Sequence, residues 1–299
     1  MQQKNAYLLE GQRLSAPPLA PGLYIVATPI GNLADITVRA LQTLAAADMI
    51  LCEDTRVSRK LLQKYGIETP LKPYHDHNAE RVRPDIVAKL QAGGAVAQIS
   101  DAGTPLVSDP GFKLVRDAAA AGLTVTPIPG ASAALAGLAV AGLPSDRFLF
   151  AGFPPAKKGQ RGRYFQELAA STATLIFFVS AQKLGTVLAE LTDCLGNRDA
   201  VIARELTKMH EEVLRGDLVT LEGAISERAN LKGEVTLLVA GADRHVDVEP
   251  KALDELLAAA LEEQSVRDAA RSVSEQLGLT RQQVYPRALE IAKARRQGG

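Results

Sequence analysis

Short apolar runs punctuated by Gly, Pro, Asp and Ser recur through the first 240 residues, each followed by a stretch whose apolar positions repeat at three and four. In the first half, residues 23–27, 49–52, 95–99 and 123–128 predict buried strands. Helices are predicted at 38–47 behind a Thr37 cap, at 58–65, and at 79–92 ended by Gly93-Gly94. A further helix is predicted behind an Asp109 cap, with Pro110 in its first turn, Phe112, Val115, Ala118 and Ala119 on its apolar face, and Gly122 past its end. The helix opening at Ala133 has only Ala, Gly, Leu and Val, so it has no polar face and is expected to be buried. Strands alternating with helices in this way predict a largely parallel sheet.

The second half alternates again, with strands at 148–153, 174–179, 200–203 and 235–240 and helices at 164–170 and 183–194. Residues 154–163 carry Lys157, Lys158, Arg161 and Arg163 with no acid, and their Gly and Pro content predicts a mobile basic loop. Residues 204–216 are dense in charge for a stretch abutting a buried strand. Beyond Lys251 the pattern is wholly helical. Segments 265–276 and 280–293 flank Leu277-Gly278-Leu279 in the manner of a helix-turn-helix, with Thr280 and Gln283 as a capping box and Pro286 expected to bend the second helix. From Ser265 onward there are seven basic and three acidic residues, which marks the pair as a candidate nucleic-acid contact. The expected organisation is a loosely ordered arm over 1–20, an α/β domain over 21–142, a second α/β domain over 146–243 and a small helical domain over 250–299.

Composition narrows the chemistry. The 299 residues hold 34 basic and 34 acidic side chains, so a polyanionic partner must be met by a local patch rather than by net charge. Cys52 and Cys194 lie outside any paired-Cys motif and read as free thiols of a reducing compartment; the N-terminal residues lack the apolar core of a signal peptide, so a cytoplasmic location is expected. There is no phosphate loop of the Gly-x-x-x-x-Gly-Lys-Ser/Thr type and no Gly-x-Gly-x-x-Gly after the first strand. His75 and His77 flank Asp76 without an evident third ligand, so a polar surface loop is expected there and no metal.

Three small-residue loops remain, each at the end of a predicted parallel strand: 28–33, 100–105 and 129–133. Loops leaving one edge of a parallel sheet converge on one crevice. These offer backbone amides and carbonyls, hydroxyls from Thr104 and Ser132, and carboxylates from Glu53, Asp54 and Asp101. Such a set suits a neutral or zwitterionic ligand with an adenine-like group better than a polyphosphate.

The motifs Val26-Ala-Thr-Pro-Ile-Gly-Asn-Leu-Ala-Asp-Ile-Thr37, Glu53-Asp-Thr-Arg56, Ser100-Asp-Ala-Gly-Thr-Pro-Leu-Val-Ser-Asp-Pro-Gly111, Pro127-Ile-Pro-Gly-Ala-Ser-Ala133 and Ala203-Arg-Glu-Leu-Thr-Lys-Met-His-Glu-Glu-Val213 occur in this order. Together they resemble the small-subunit ribosomal RNA methyltransferase I family, a branch of the tetrapyrrole-methylase-like superfamily. The resemblance implies two tandem α/β domains with S-adenosylmethionine between them, a homodimer, and methylation of a cytidine ribose 2′-hydroxyl in the decoding region of 16S ribosomal RNA, in the free RNA or the small ribosomal subunit. By motif it places Pro29, Asp101, Gly103, Thr104, Pro105 and Ser132 at the cofactor, with Phe178 and Leu206 at the matching strand ends of the second domain. One departure stands out. Where the family commonly has an aromatic-Glu-x-Pro-His-Arg run, this chain reads Phe178-Val-Ser-Ala-Gln-Lys183 and lacks the carboxylate and imidazole.

A ribose hydroxyl is weakly acidic, so a carboxylate or imidazole is the natural proton acceptor. Glu205, His210, Glu211 and Asp101 are the candidates, Glu205 first because it leaves a strand end. Arg56, Arg59, Lys157, Lys158, Arg161 and Arg163, with the terminal helices, are the candidate RNA-facing groups, contacting phosphates rather than bases. Two other readings compete: a methyltransferase of the same fold acting on a small tetrapyrrole, and a non-catalytic nucleic-acid-binding protein.

Overall fold

The computed structural model describes residues 5–107, 111–228, 230–242, 250–277, 279 and 281–297. The chain forms two compact units, one running to Glu167 and resuming over Thr174–Ala240, the other made of Leu168–Ala173 and the residues after Ala240.

The larger unit opens with a hairpin, β1 (Ala6–Leu9) and β2 (Gln12–Ser15), where a loosely ordered arm was expected. Glu10 and Gly11 both adopt positive φ, the backbone of a two-residue hairpin turn. Tyr7 is buried in the first core, and the Leu8 N–H bonds to the Tyr65 carbonyl. One buried aromatic anchors a segment whose average composition is polar.

The first sheet has β3 (Gly22–Val26), β4 (Met49–Cys52), β5 (Leu71–Pro73), β6 (Ala95–Gln98) and β7 (Val125–Ile128), all parallel, in the order β5-β4-β6-β3-β7. Its helices are α1 (Val38–Ala46), α2 (Thr55–Lys64), α3 (Ala79–Gln91), α4 (Phe112–Ala120) and α5 (Ala133–Ala141). Cores lie on both faces, which is why β3 and β4 read as unbroken apolar runs; the edge strand β5, Leu71-Lys72-Pro73, has no such run and was not expected from the sequence. Thr37 caps α1 through its hydroxyl, which accepts the Ala40 N–H. The second helix begins earlier than its apolar pattern, at Thr55, because the Asp54 carboxylate accepts the Arg56 N–H. In α4 the buried face is Leu114 and Ala118, and Phe112 is 62% exposed instead of facing the core. That helix starts behind Gly111, so Phe112 sits in its first turn; Asp109 and Pro110, the expected cap and first-turn residues, lie outside the described residues.

The second sheet has β8 (Phe148–Gly152), β9 (Thr174–Ser180), β10 (Asp199–Arg204), β11 (Glu212–Asp217) and β12 (Glu234–Val239), ordered β11-β10-β12-β9-β8, with β8 parallel to β9 and the other pairs antiparallel. Its helices are α6 (Lys158–Leu168), α7 (Leu184–Leu195) and α8 (Leu218–Ser226). Three features depart from expectation. The basic segment is helical from Lys158 onward, because Arg161 turns inward to Glu190 and fastens that turn. Charge at 204–216 hides β11, an edge strand with Glu212 and Arg215 among its residues. Helix α5, assigned by sequence order to the first half, packs Ala134, Leu138 and Ala141 among Ile176, Val201 and Leu238 of the second sheet. A Cβ at Gly137 would lie 2.9 Å from Thr236 Cγ2, so glycine there permits the close approach. Its other face is not buried, with Leu135 54% exposed.

The smaller unit contains α9 (Pro250–Glu263), α10 (Val266–Leu277) and α11 (Arg281–Gln297) around Leu257, Ala270, Val273, Val284 and Ala288. Arg287 clamps Asp254 with two bonds of 2.7 Å. Pro286 lies inside α11, and the expected capping box at Thr280 lies outside the described residues.

Candidate active site

Because β3 lies between β6 and β7, the loops that leave these three strands are neighbours, and the backbone stitches them together. Thr28 and Gly103 exchange N–H to carbonyl bonds in both directions. The Thr28 hydroxyl donates to the Ser100 carbonyl and the Thr104 hydroxyl to that of Ala131. Gly103 has φ 81°, a conformation open to glycine at little cost, and a Cβ there would lie 3.2 Å from Ile30 Cγ2.

Above these loops lies a cavity of about 330 Å³. Asp101, Gly103, Thr104 and Ser132 line it from the first sheet, and Phe178 and Leu206 from the second. Pro29 and Pro105, within these loops, are buried and do not line it. Sequence reasoning missed Phe153, Lys208, Gly233 and Glu234, which also form the wall. Phe153 is 64% exposed and meets Phe178 edge-on at 5.5 Å. The sequence held a signal for it, an aromatic at the mouth of a Pro-Pro turn; Glu234 carried none, being an isolated charge at a strand start.

The electrostatics divide the wall in two. Burial raises the Asp101 carboxyl above the usual carboxylate range although it accepts the Asp54 N–H at 3.1 Å. Neighbouring Glu53 is raised as well, by burial and by Asp101. Opposite, the Lys208 ammonium donates to Glu205 Oε1 at 2.9 Å and to Glu234 Oε2 at 2.8 Å. Burial alone would lower the lysine; the bonds to Glu234 and Glu205 outweigh it and hold it above its ordinary value.

The proton-acceptor candidates fare unequally. Glu205 does not line the cavity: its carboxylate accepts the Glu234 N–H at 3.0 Å and the Lys208 ammonium, which together hold it below the usual range, the wrong direction for a base. His210 is exposed and outside the lining, and Glu211 caps the Thr207 N–H at 2.6 Å. The loop that carries them is strained. Glu205 and Thr207 have φ of 51° and 66°, costing roughly 1–2 kcal/mol per residue for side chains with a Cβ.

Of the candidate RNA-facing groups, Lys157, Lys158, Arg163 and Arg59 are exposed. Arg161 is withdrawn from that surface. Its guanidinium grips Glu190 at 2.6 and 2.8 Å and donates to the carbonyls of Pro155 and Ala156, leaving the side chain 9% exposed. Arg56 is exposed but paired in a fork with Asp54, whose carboxyl it holds down at about 2. His75 and His77 join no cluster of three metal-ligating side chains among the described residues, and no described helix is long and apolar enough to cross a membrane.

Comparison with known proteins adds two family matches, Tetrapyrrole (Corrin/Porphyrin) Methylases over residues 22–222 and the RsmI C-terminal HTH domain over residues 247–292. The chain is 50% identical over 286 residues to the ribosomal RNA small subunit methyltransferase I of Mesorhizobium japonicum, spanning 95% of this chain and 97% of that protein. It is 44% identical to the protein of the same name from Synechocystis, over 90% of this chain and 98% of that one. Among solved structures, a uroporphyrin-III C-methyltransferase from Thermus thermophilus complexed with S-adenosyl homocysteine superposes with a TM-score of 0.50 at 20% identity, over 73% of this chain and 96% of that one.

Proposed function

From the premise that this chain belongs to the ribosomal RNA small subunit methyltransferase I family and is an S-adenosylmethionine-dependent methyltransferase, we propose that it methylates a cytidine ribose 2′-hydroxyl in the decoding region of 16S ribosomal RNA. We propose further that it acts in the cytoplasm, as a homodimer, on the small ribosomal subunit or its RNA.

The donor set carries the cofactor assignment. Among the described residues, the cavity presents backbone groups, hydroxyls and one desolvated carboxylate, and its single lining cation is already balanced by two carboxylates. That set fits a zwitterion with a positive centre and would fit a polyphosphate poorly. Asp101 is the group to hold the cofactor's ammonium, Thr104 and Ser132 lie within its polar reach, and the apolar wall of Ile30, Phe178 and Leu206 suits the adenine. S-adenosylmethionine supplies an already activated methyl group, so the protein's task is alignment and removal of one hydroxyl proton. The exposed Lys157, Lys158, Arg163 and Arg59 are positioned to meet phosphates, and exposed Phe153 at the cavity wall offers a face on which a nucleobase can stack.

The second copy is supported by apolar surface that one chain leaves uncovered. Leu135 and Val140 on α5, and Phe148 and Leu149 on the edge strand β8, are all exposed. A helix without one polar side chain has no other reason to face water.

The decisive experiment for this reading is a titration with S-adenosylmethionine followed by transfer of labelled methyl to small-subunit RNA, assembled subunits and a tetrapyrrole. Transfer to the tetrapyrrole alone would favour the small-molecule reading; absence of cofactor binding would favour a binding protein.

A further inference from the structure

Three of the four proton-acceptor candidates read from sequence are occupied or outside the cavity, and the fourth, Asp101, is the group best suited to the cofactor's ammonium. The wall that remains is the Lys208, Glu205 and Glu234 cluster. Two glycines make room for it. A Cβ at Gly31 would lie 2.5 Å from Lys208 Cγ, and one at Gly233 would lie 2.6 to 2.7 Å from the Glu205 side chain. The Asn32 N–H donates to the Thr207 hydroxyl at 3.1 Å, so the first sheet's loop pins the loop bearing Lys208. Left-handed backbone at two non-glycine residues, held by a contact from each side, is strain retained in order to place a side chain.

An ammonium has three donors. Among the described residues, Lys208 gives one to Glu205 and one to Glu234, which leaves a third at the cavity wall. Glu234 uses Oε2 for that bond, and its side chain is 79% exposed, so a proton on it has a path to solvent.

Resting on the methyltransferase reading above, we infer that Lys208 and Glu234 form the dyad that handles the proton of the attacking ribose 2′-hydroxyl. The third Lys208 N–H donates to the 2′-oxygen and stabilises the negative charge that develops there. The hydroxyl proton passes to Glu234 Oε1, the freed O–H pair forms the new oxygen–carbon bond, and the carbon–sulfur pair stays on the donor's sulfur. Glu205 is a positioning residue that orients the lysine. The other charged groups of this loop are committed elsewhere: Arg204 to Glu212, and Glu211 to the Thr207 N–H. Asp101 lines the same cavity, and His210 follows on the exposed side of the loop.

The test compares full-length Lys208→Met and Glu234→Gln with the unsubstituted enzyme in single-turnover methyl transfer across pH, alongside cofactor titration calorimetry and RNA filter binding. The expected result is a loss of 10²- to 10³-fold in rate for each variant, with cofactor and RNA affinities within threefold. The unsubstituted rate falls at high pH as Lys208 loses its proton. Glu234→Gln keeps that alkaline fall at its reduced rate, and Lys208→Met loses it. Glu234 is exposed, so its variant stays informative if Lys208→Met fails to fold. Rates within threefold for Glu234→Gln, or a Lys208→Met rate loss matched by lost cofactor affinity, overturn the dyad. Failure of the unsubstituted enzyme to methylate a ribose hydroxyl would count against the parent reading instead.

Discussion

Thr28 and Gly103 accept each other's backbone N–H, at 2.9 and 3.0 Å, and this reciprocal bridge joins the loop after the first strand of the parallel sheet to the loop after its neighbour. The pairing requires the positive φ of Gly103. Gly103→Ala is therefore expected to cost about 1 kcal/mol in stability and to weaken cofactor binding at least tenfold. Thermal unfolding and calorimetric titration of the variant check both effects.

Asp101 sets stability against binding. Its folded pKa is raised, so its contribution to stability is fully present below the unfolded value and is lost as pH rises through the folded one. At pH 7.5 the Asp101→Asn variant should be more heat-stable than the unsubstituted protein without cofactor, yet bind cofactor roughly 10 to 100 times more weakly for want of a charged acceptor. In the unsubstituted protein, cofactor affinity should decline as pH falls through the raised folded value and Asp101 takes up its proton.

Arg161 and the lysine pair before it should separate cleanly. Arg161→Ala strands Glu190 with a largely buried charge and should cost about 3 kcal/mol of stability, with little change in the salt dependence of RNA binding. Replacing Lys157 and Lys158 together by Ala should leave the melting temperature unchanged and lower the slope of log K against log salt by roughly 1.5.

The uncovered face of α5 and β8 gives a prediction on assembly. Leu135→Asp combined with Phe148→Asp should convert a dimer to a monomer in light scattering, with secondary structure retained. A dimer that survives both charges would remove this surface from consideration.

The parallel sheet was legible in the sequence because its strands are buried on both faces and stand out as apolar runs between capped helices; Thr37 capping α1 is one such signal. The three strand-end loops were legible for the same reason, since Gly and Pro mark them. Of the edge strands, β7 and β8 were legible, and β5 and β11 were not. The strand at Glu212–Asp217 carries charges that pair across it, Glu212 with Arg204 and Arg228, so its composition reads as a solvated loop. Arg161 illustrates the converse, a basic residue counted as surface that is buried by a partner 29 positions away. The wall of Lys208 and Glu234 was least legible. Glu205 looked like a base from its place after a strand, and only the left-handed turn that folds its carboxylate onto the Glu234 N–H and Lys208 shows it already paired.

The central claim is that the cavity built on the Thr28–Gly103 bridge delivers a methyl group to a ribose hydroxyl. Its most direct test is mass-spectrometric nucleoside analysis of small-subunit RNA after incubation with the protein and isotopically labelled S-adenosylmethionine. The account predicts label in 2′-O-methylcytidine from the decoding region; label on a base, or none in the RNA while cofactor is bound, would contradict it.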